Sequence, residues 1–304
     1  EAKEILAPYG EVIDFENENN FKQHLPLADV VITALSINFD KSLLARAQRL
    51  RLIGSRTTQL RYIDLDECKR RNIQVINIKG GSPVLEMIPS TAEEAMGLIF
   101  AITRKFAPAF DSIKQGKWER LEHCGTELYG KTVGLIGFGR LGKKVAHYCQ
   151  AFSTKVIAYD PFVDNQQMRD LKVRKVSLDY LLENADIVSV HATFDESTYH
   201  LLQERHFRKM KKNAYFINTA RGEITDERGL LKALVEGWIA GAAVDTLANE
   251  SPDGRHLEDN PLIEYANQHD NLLIVPHLGG TTKEAIKNTQ VYISKLVTKE
   301  LGRL

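Results

Sequence analysis

The stretch GLIGFGRLG places glycines at 137, 139 and 142, a G-x-G-x-x-G, and the run KVIAYD that follows ends in Asp160, eighteen residues after Gly142. Glycine at 137 permits a tight turn, at 139 it lets the backbone approach a pyrophosphate, and at 142 it allows a helix to pack close to a strand. A helix that opens at such a loop offers free amides and the positive end of its dipole to the phosphates. A carboxylate at the end of the next strand accepts hydrogen bonds from both ribose hydroxyls and repels a 2′-phosphate, which selects NAD over NADP. Gly137, Gly139, Arg140, Leu141, Gly142 and Asp160 are thus candidate cofactor contacts.

Three further segments carry residues suited to acid–base chemistry: INTARGEI with Arg221, AVDTLANESP with Glu250 and VPHLGG with His277. A 2-oxo acid needs a fork of donors to hold its carboxylate and polarise its ketone, which a guanidinium supplies. It needs a proton donor for the developing alkoxide, and histidine serves near neutral pH. A neighbouring carboxylate favours the imidazolium and fixes the ring. Taken singly, each residue has an ordinary alternative: a surface arginine, a solvated loop glutamate, and a histidine capping a backbone carbonyl.

Elements must bring these residues to one place. From Lys131 onward, short β-branched runs (TVGLIG, KVIAYD, DIVSVH, AYFINT, IAGAAVD, NLLIVPH) alternate with helical patterns. Strands this apolar are buried on both faces, and the alternation implies right-handed crossovers and a parallel sheet. The N-terminal part repeats the theme less regularly, with EVIDF, ADVVITA, LRLIGSR and IQVINI as expected strands. The fold class expected is α/β, with two Rossmann-like doubly wound parallel-sheet domains. One long helix is expected over residues 91–114, with Ser90 as its N-cap and Glu93 and Glu94 in its first turn. Another begins near Thr282 and runs almost to the end; if it packs on the N-terminal half, the smaller domain is discontinuous. The expected division is 1–97 plus 282–304 for a substrate domain and 98–281 for an NAD-binding domain.

At 304 residues the chain is long enough for two cores. Forty Lys+Arg balance forty Asp+Glu, so no net field draws it to nucleic acid or an anionic membrane. The basic run RHFRKMKK reads as the solvated face of a surface helix. Cys68, Cys124 and Cys149 form no C-x-x-C pair, which fits reduced thiols and a cytoplasmic location. No apolar run is long enough to span a bilayer, and the first twenty residues lack a signal-peptide core, although the chain begins at Glu1 rather than Met. His123 and Cys124 have no further ligands at metal spacing, and no metal is expected.

Together, GLIGFGRLG, YDP, VSVHATFDEST, FINTARGEI, GAAVDTLANESP and VPHLGGTT follow the order and spacing of a known family. In them the sequence resembles the NAD-dependent D-2-hydroxyacid dehydrogenases, which include 3-phosphoglycerate dehydrogenase and the glyoxylate/hydroxypyruvate reductases. The resemblance covers essentially the whole chain. It implies Arg221 as a substrate-binding residue with Glu250 and His277 as the acid/base pair. It also implies Asp245 beside the nicotinamide carboxamide, His191, Thr219 and Ala220 along the cofactor cleft, and Gly279 and Gly280 beneath the nicotinamide. A homodimer built around the 91–114 region is implied as well. A corepressor on the same fold that associates through NAD is the competing class, and a dehydrogenase for formate or phosphite a third.

The smaller domain departs from the family. Its substrate loop reads GSRTTQLRYID, with Gln59 where a glycine is usual, and Lys79 stands where many relatives have proline. Backbone amides of Thr58 and Gln59 remain candidates for holding a substrate carboxylate, with Lys79 beside them. Arg56, Arg61 and Lys79 would meet a second anionic group such as a phosphate, or are simply solvated loop charges. Family members also usually have one more strand ahead of the segment equivalent to EAKEILAPYG.

Overall fold

The computed structural model describes every residue except Glu16, Ser36, Pro252 and Leu304. By contact the chain divides into two compact units, one of Glu1–Ile88, Ser251–Asp253 and Thr282–Leu304, the other of Pro89–Glu250 and Gly254–Thr281. The boundary expected between residues 97 and 98 falls inside a helix, Ser90–Thr103, that goes whole with the larger unit.

In the smaller unit, β1 (Val30–Thr33), β2 (Leu52–Ser55) and β3 (Gln74–Asn77) form a parallel sheet in the order β1-β2-β3. The C-terminal helix Lys283–Leu301 covers the central strand, with Ile293 and Val297 clustered against Leu52. Gly54 makes that approach feasible, because a Cβ there would come within 2.7 Å of a Val297 methyl. Thr282 starts the helix by accepting the Ala285 amide at its hydroxyl, at 3.1 Å. The opposite core gathers Phe21, Phe39, Leu44 and Ile53. EVIDF is not a strand: residues 11–15 lie outside any sheet, and Phe15 instead meets the Phe21 ring at 4.8 Å between centroids.

The larger unit holds β4 (Thr132–Ile136), β5 (Lys155–Tyr159), β6 (Arg174–Lys175), β7 (Ile187–Val190), β8 (Tyr215–Asn218), β9 (Gly241–Val244) and β10 (Leu272–Ile274). All pair in parallel, in the order β10-β9-β8-β7-β4-β5-β6. Alternation along the strands builds a core on each face. Ile187, Ile217 and Ala243 pack with Ala95, Ile99, Val145 and Cys149 from the helices Ser90–Thr103 and Arg140–Ala151. Val188, Phe216 and Ala242 pack with Leu181, Leu182, Leu230 and Ala233 from Leu178–Asn184 and Glu227–Val235. The chain leaves β4 toward β5 on one side and returns as β7 on the other. The strand order therefore reverses between β4 and β7, and ligands of such sheets bind beyond the carboxyl ends of the strands at such a switch point.

The single helix expected over 91–114 is two, Ser90–Thr103 and Phe106–Lys114, separated by Lys105 in a left-handed conformation at φ 53°. Pro108 has no amide proton for the Arg104 carbonyl four residues back, so the first helix cannot continue through it. The Thr103 carbonyl is taken instead by the Thr126 amide, at 2.8 Å. Ser90 is not the cap: the helix opens after Pro89, with no side-chain cap.

Candidate active site

The register of the larger sheet aligns its carboxyl ends. Ile136 pairs with Tyr159 and with Val190, Val190 with Asn218, Asn218 with Val244, and Val244 with Ile274. The next residues along the chain, Gly137, Asp160, His191, Thr219, Asp245 and Val275, therefore form one row across the end of the sheet.

The glycine loop has the shape a dinucleotide requires. Gly137 has φ 93°, and a Cβ there would lie 2.5 Å from the Ala192 amide nitrogen. A Cβ on Gly142 would lie 2.3 Å from the Gly137 carbonyl oxygen, so only glycine lets the helix Arg140–Ala151 start this close to the strand. Gly139, by contrast, has nothing within 4 Å of its missing Cβ, and no side chain caps the helix that begins after it. A phosphate fits where backbone is bare at a helix N-terminus. Asp160 is anchored beside the loop: one oxygen accepts the Phe138 amide at 2.8 Å, the other those of Phe162 at 2.8 Å and Val163 at 3.2 Å. Arg140 and Leu141 form the first turn of that helix.

His191, one residue past β7, shares a 2.9 Å hydrogen bond between Nε2 and the Ser189 hydroxyl. The residue is only partly covered, yet the ring lies deep enough that burial pushes it down to about 4, so it is neutral near pH 7. Thr219 is buried with no hydrogen-bond partner for its hydroxyl among the described residues, an orphan facing a ligand would resolve. Ala220 donates its amide to the Asn218 side chain at 3.0 Å.

Glu250 and His277 meet directly, with Nδ1 2.6 Å from Oε2. Their side chains are 19% and 25% exposed, so the pair is screened less than a surface bridge. Burial alone would raise the Glu250 carboxyl, but the bond and charge of His277, the Leu247 amide at 3.0 Å and the Arg221 charge outweigh it, leaving it below the usual range. That charge effect also places Arg221 electrostatically in the same locale. Arg221 leaves β8 in an extended conformation, its carbonyl accepting from the Asn218 side chain at 2.9 Å and its guanidinium donating to the Ala220 carbonyl at 2.6 Å.

Asp245 supports the other side of His277. Its carbonyl accepts the His277 amide at 2.9 Å, and its carboxylate accepts the amides of Leu278 at 2.5 Å and Gly279 at 3.0 Å. Burial raises this carboxyl to about 6 despite those amides and the His277 charge. A Cβ on Gly279 would stand 3.0 Å from the Asp245 carboxylate and from the Thr91 methyl, whereas Gly280 has open space. Residues 276–280 are thus held close to the end of β9.

In the smaller unit, Thr58 and Gln59 follow β2 in a braced loop. Ser55 bonds the Tyr62 hydroxyl at 2.6 Å, Thr57 donates to the Gln59 carbonyl at 2.6 Å, and Asn77 donates to the Thr58 carbonyl at 2.9 Å. Lys79 is exposed just past β3. Arg56 is partly buried, which lowers its guanidinium from the ordinary value, and no acidic side chain pairs with it among the described residues.

Several supporting residues escape a linear reading. Asn218 ties the 218–225 turn through Arg221 and Thr225, and Glu227 and Gly222 brace the segment that carries Glu250. ITDERG signals only a helix start, because the partners of Glu227 lie twenty residues on.

Residues 96–279 match the family described as D-isomer specific 2-hydroxyacid dehydrogenase, NAD binding domain. The chain is 36% identical over 273 residues to D-3-phosphoglycerate dehydrogenase of Archaeoglobus fulgidus, covering 90% of this chain and 49% of that protein. It is 35% identical over 278 residues to hydroxypyruvate reductase of Thermotoga maritima, covering 91% of this chain and 86% of that one. It thus spans about half the length of that phosphoglycerate dehydrogenase but most of the reductase. Among solved structures, D-lactate dehydrogenase of Aquifex aeolicus complexed with NAD and lactic acid is similar, with a TM-score of 0.78 at 27% identity, covering 99% of this chain and 91% of that one.

Proposed function

The chain belongs to the D-isomer specific 2-hydroxyacid dehydrogenase family, and from that premise we propose that it is an NAD-dependent oxidoreductase interconverting a 2-oxo acid and a D-2-hydroxy acid. The observation that carries this reading is the 2.6 Å His277–Glu250 contact at the sheet end that also bears the glycine loop.

Bound NADH supplies the hydride for the keto carbon. Arg221 holds the substrate carboxylate and polarises the ketone with its planar fork. Protonated His277 donates from Nε2 to the developing alkoxide, while Glu250 holds Nδ1–H and stabilises the imidazolium. Oxidation runs the proton back to Nε2. Asp245, His191, Thr219, Ala220, Gly279 and Gly280 are assigned to the cofactor with the glycine loop and Asp160. Thr58, Gln59 and Lys79 are assigned to the substrate.

For the substrate itself, relatives divide between phosphoglycerate dehydrogenases and hydroxypyruvate or glyoxylate reductases. Similarity to the reductases favours a small oxo acid such as hydroxypyruvate or glyoxylate, while Arg56, partly buried with no acidic side chain paired to it among the described residues, favours a second anionic group such as phosphate. NADH oxidation measured against glyoxylate, pyruvate, hydroxypyruvate and phosphohydroxypyruvate decides between them. NADH binding without turnover on any oxo acid would favour a corepressor-like NAD sensor.

A homodimer is part of the same reading. Phe106, Phe110 and Ile113 recur along one side of the helix Phe106–Lys114 and are half or more exposed, and Trp118 and Leu121 beyond it are more exposed still. So large an apolar stretch on a surface otherwise rich in charge fits a contact with a second copy.

A further inference from the structure

Three consecutive amides before Glu250 each end on a carboxylate. Leu247 donates to Glu250 Oε1 at 3.0 Å, Ala248 to Glu227 Oε1 at 2.6 Å, and Asn249 to Glu223 Oε1 at 3.4 Å. The backbone turns sharply here, Asn249 being left-handed at φ 57°. The two outside acids come from the segment that follows Arg221, and that segment is pressed onto the turn. A Cβ on Gly222 would fall 2.0 Å from the Leu247 carbonyl carbon and 2.2 Å from the Ala248 nitrogen.

Grouping three acids in one place is unfavourable without a return, since like charges and burial both oppose ionisation. Burial first, and then Glu223 and Glu250, raise the Glu227 carboxyl, while the Ala248 amide and His256 oppose the rise. Glu227 is also fixed at its root. It is the first residue of the helix Glu227–Val235, whose N-cap Asp226 accepts the Arg228 amide at 3.2 Å. Its carboxylate therefore reaches the Ala248 amide from a rigid base, across the interval between Arg221 and Glu250.

We propose that Glu227 is a positioning residue for the reaction: by accepting the Ala248 amide it fixes the 247–250 turn, so that Glu250 presents Oε2 to His277 in register with Arg221. Glu223 plays the lesser part through its longer bond to Asn249. The proposal rests on the dehydrogenase reading for its catalytic consequence, though not for the turn itself. Misplacing a supporting group by an ångström costs up to about 10²-fold in rate, and the loss should fall on kcat, because the cofactor loop and Arg221 are untouched.

The test compares Glu227→Ala with Glu227→Gln in the full chain. Glutamine keeps a side-chain carbonyl for the Ala248 amide, whereas alanine does not. The expected result is a fall in kcat of roughly thirtyfold to a hundredfold in E227A, with NADH affinity and substrate KM within about twofold, and recovery of most of kcat in E227Q. Hydrogen exchange in the 247–250 segment should quicken in E227A and stay slow in E227Q. An unchanged kcat in a folded E227A, or glutamine no better than alanine, overturns the proposal. If the wild-type chain turns over no 2-oxo acid, the dehydrogenase reading fails by itself, and exchange at the Ala248 amide decides whether Glu227 holds the turn. Unaltered exchange in E227A overturns it there too.

Discussion

His277 Nδ1 stands 2.6 Å from Glu250 Oε2, and strain flanks both partners: His277 itself is left-handed at φ 52°, and Asn249 beside Glu250 at φ 57°. Such positions cost of order 1 kcal/mol or more for a non-glycine residue and persist where surrounding bonds over-determine them. Here the bonds are visible. The His277 amide is held by the Asp245 and Val275 carbonyls, and the glutamate's turn by the three amide–carboxylate contacts.

Replacing His277 with alanine should lower kcat by about 10²- to 10⁴-fold, the range for loss of a general acid. NADH affinity should remain within about twofold, since the glycine loop follows β4 and, among the described residues, takes no hydrogen bond from the His277 side chain. Stopped-flow turnover with a fluorescence titration of NADH checks both. A kcat within threefold of wild type would remove His277 from the mechanism.

Asp160 both anchors loop amides and, on the proposed reading, faces the ribose hydroxyls. Asp160→Ser should raise the KM for NADH at least about tenfold, through loss of the charge-assisted bonds to the ribose hydroxyls, and narrow the preference over NADPH. Initial rates with the two cofactors measure this. An unaltered NADH:NADPH ratio would place the carboxylate away from the ribose.

Acid should destabilise the larger unit through His191. Its pKa is depressed in the fold, to about 4, so the unfolded chain binds the extra proton as pH falls from about 6.5 toward 4. Stability contributed by the buried neutral ring is present above pH 6.5 and is lost through that window, by at most about 1.4 kcal/mol per pH unit. Urea unfolding at stepped pH should show this slope in wild type and a shallower one in His191→Gln. Parallel slopes would contradict it.

If the Phe106–Lys114 helix lies in a homodimer, Phe110→Glu should yield monomers, because a charge would be buried without a partner. Sedimentation velocity gives the answer. A variant as dimeric as wild type would move the interface elsewhere.

Much of the sheet was legible because its cues are local. Apolar runs bounded by polar ends gave six strands of the larger unit, and the spacing from Gly142 to Asp160 reflects one helix between two adjacent strands, β4 and β5. EVIDF misleads for a matching reason: alternation describes a strand's faces but does not supply a neighbour to pair with, and Phe15 found Phe21 instead. The break at Lys105 was written in Pro108, three residues on, yet the apolar pattern runs through it. The roles of Gly222 and Glu227 depend on a turn twenty or more residues away, and no periodicity within either segment encodes that distance.

The docking of Ile293 and Val297 over Gly54 has a consequence for biosynthesis. A ribosome extends the chain at roughly 5–20 residues per second, so the sheet of residues 30–77 emerges many seconds before the helix that roofs its central strand. Throughout that delay Leu52 and its neighbours have no lid. The larger unit, complete once Ile274 and the turn after it are out, can finish first. Vectorial synthesis therefore leaves the sheet of residues 30–77 waiting for the helix Lys283–Leu301, and chaperone demand should concentrate on that sheet.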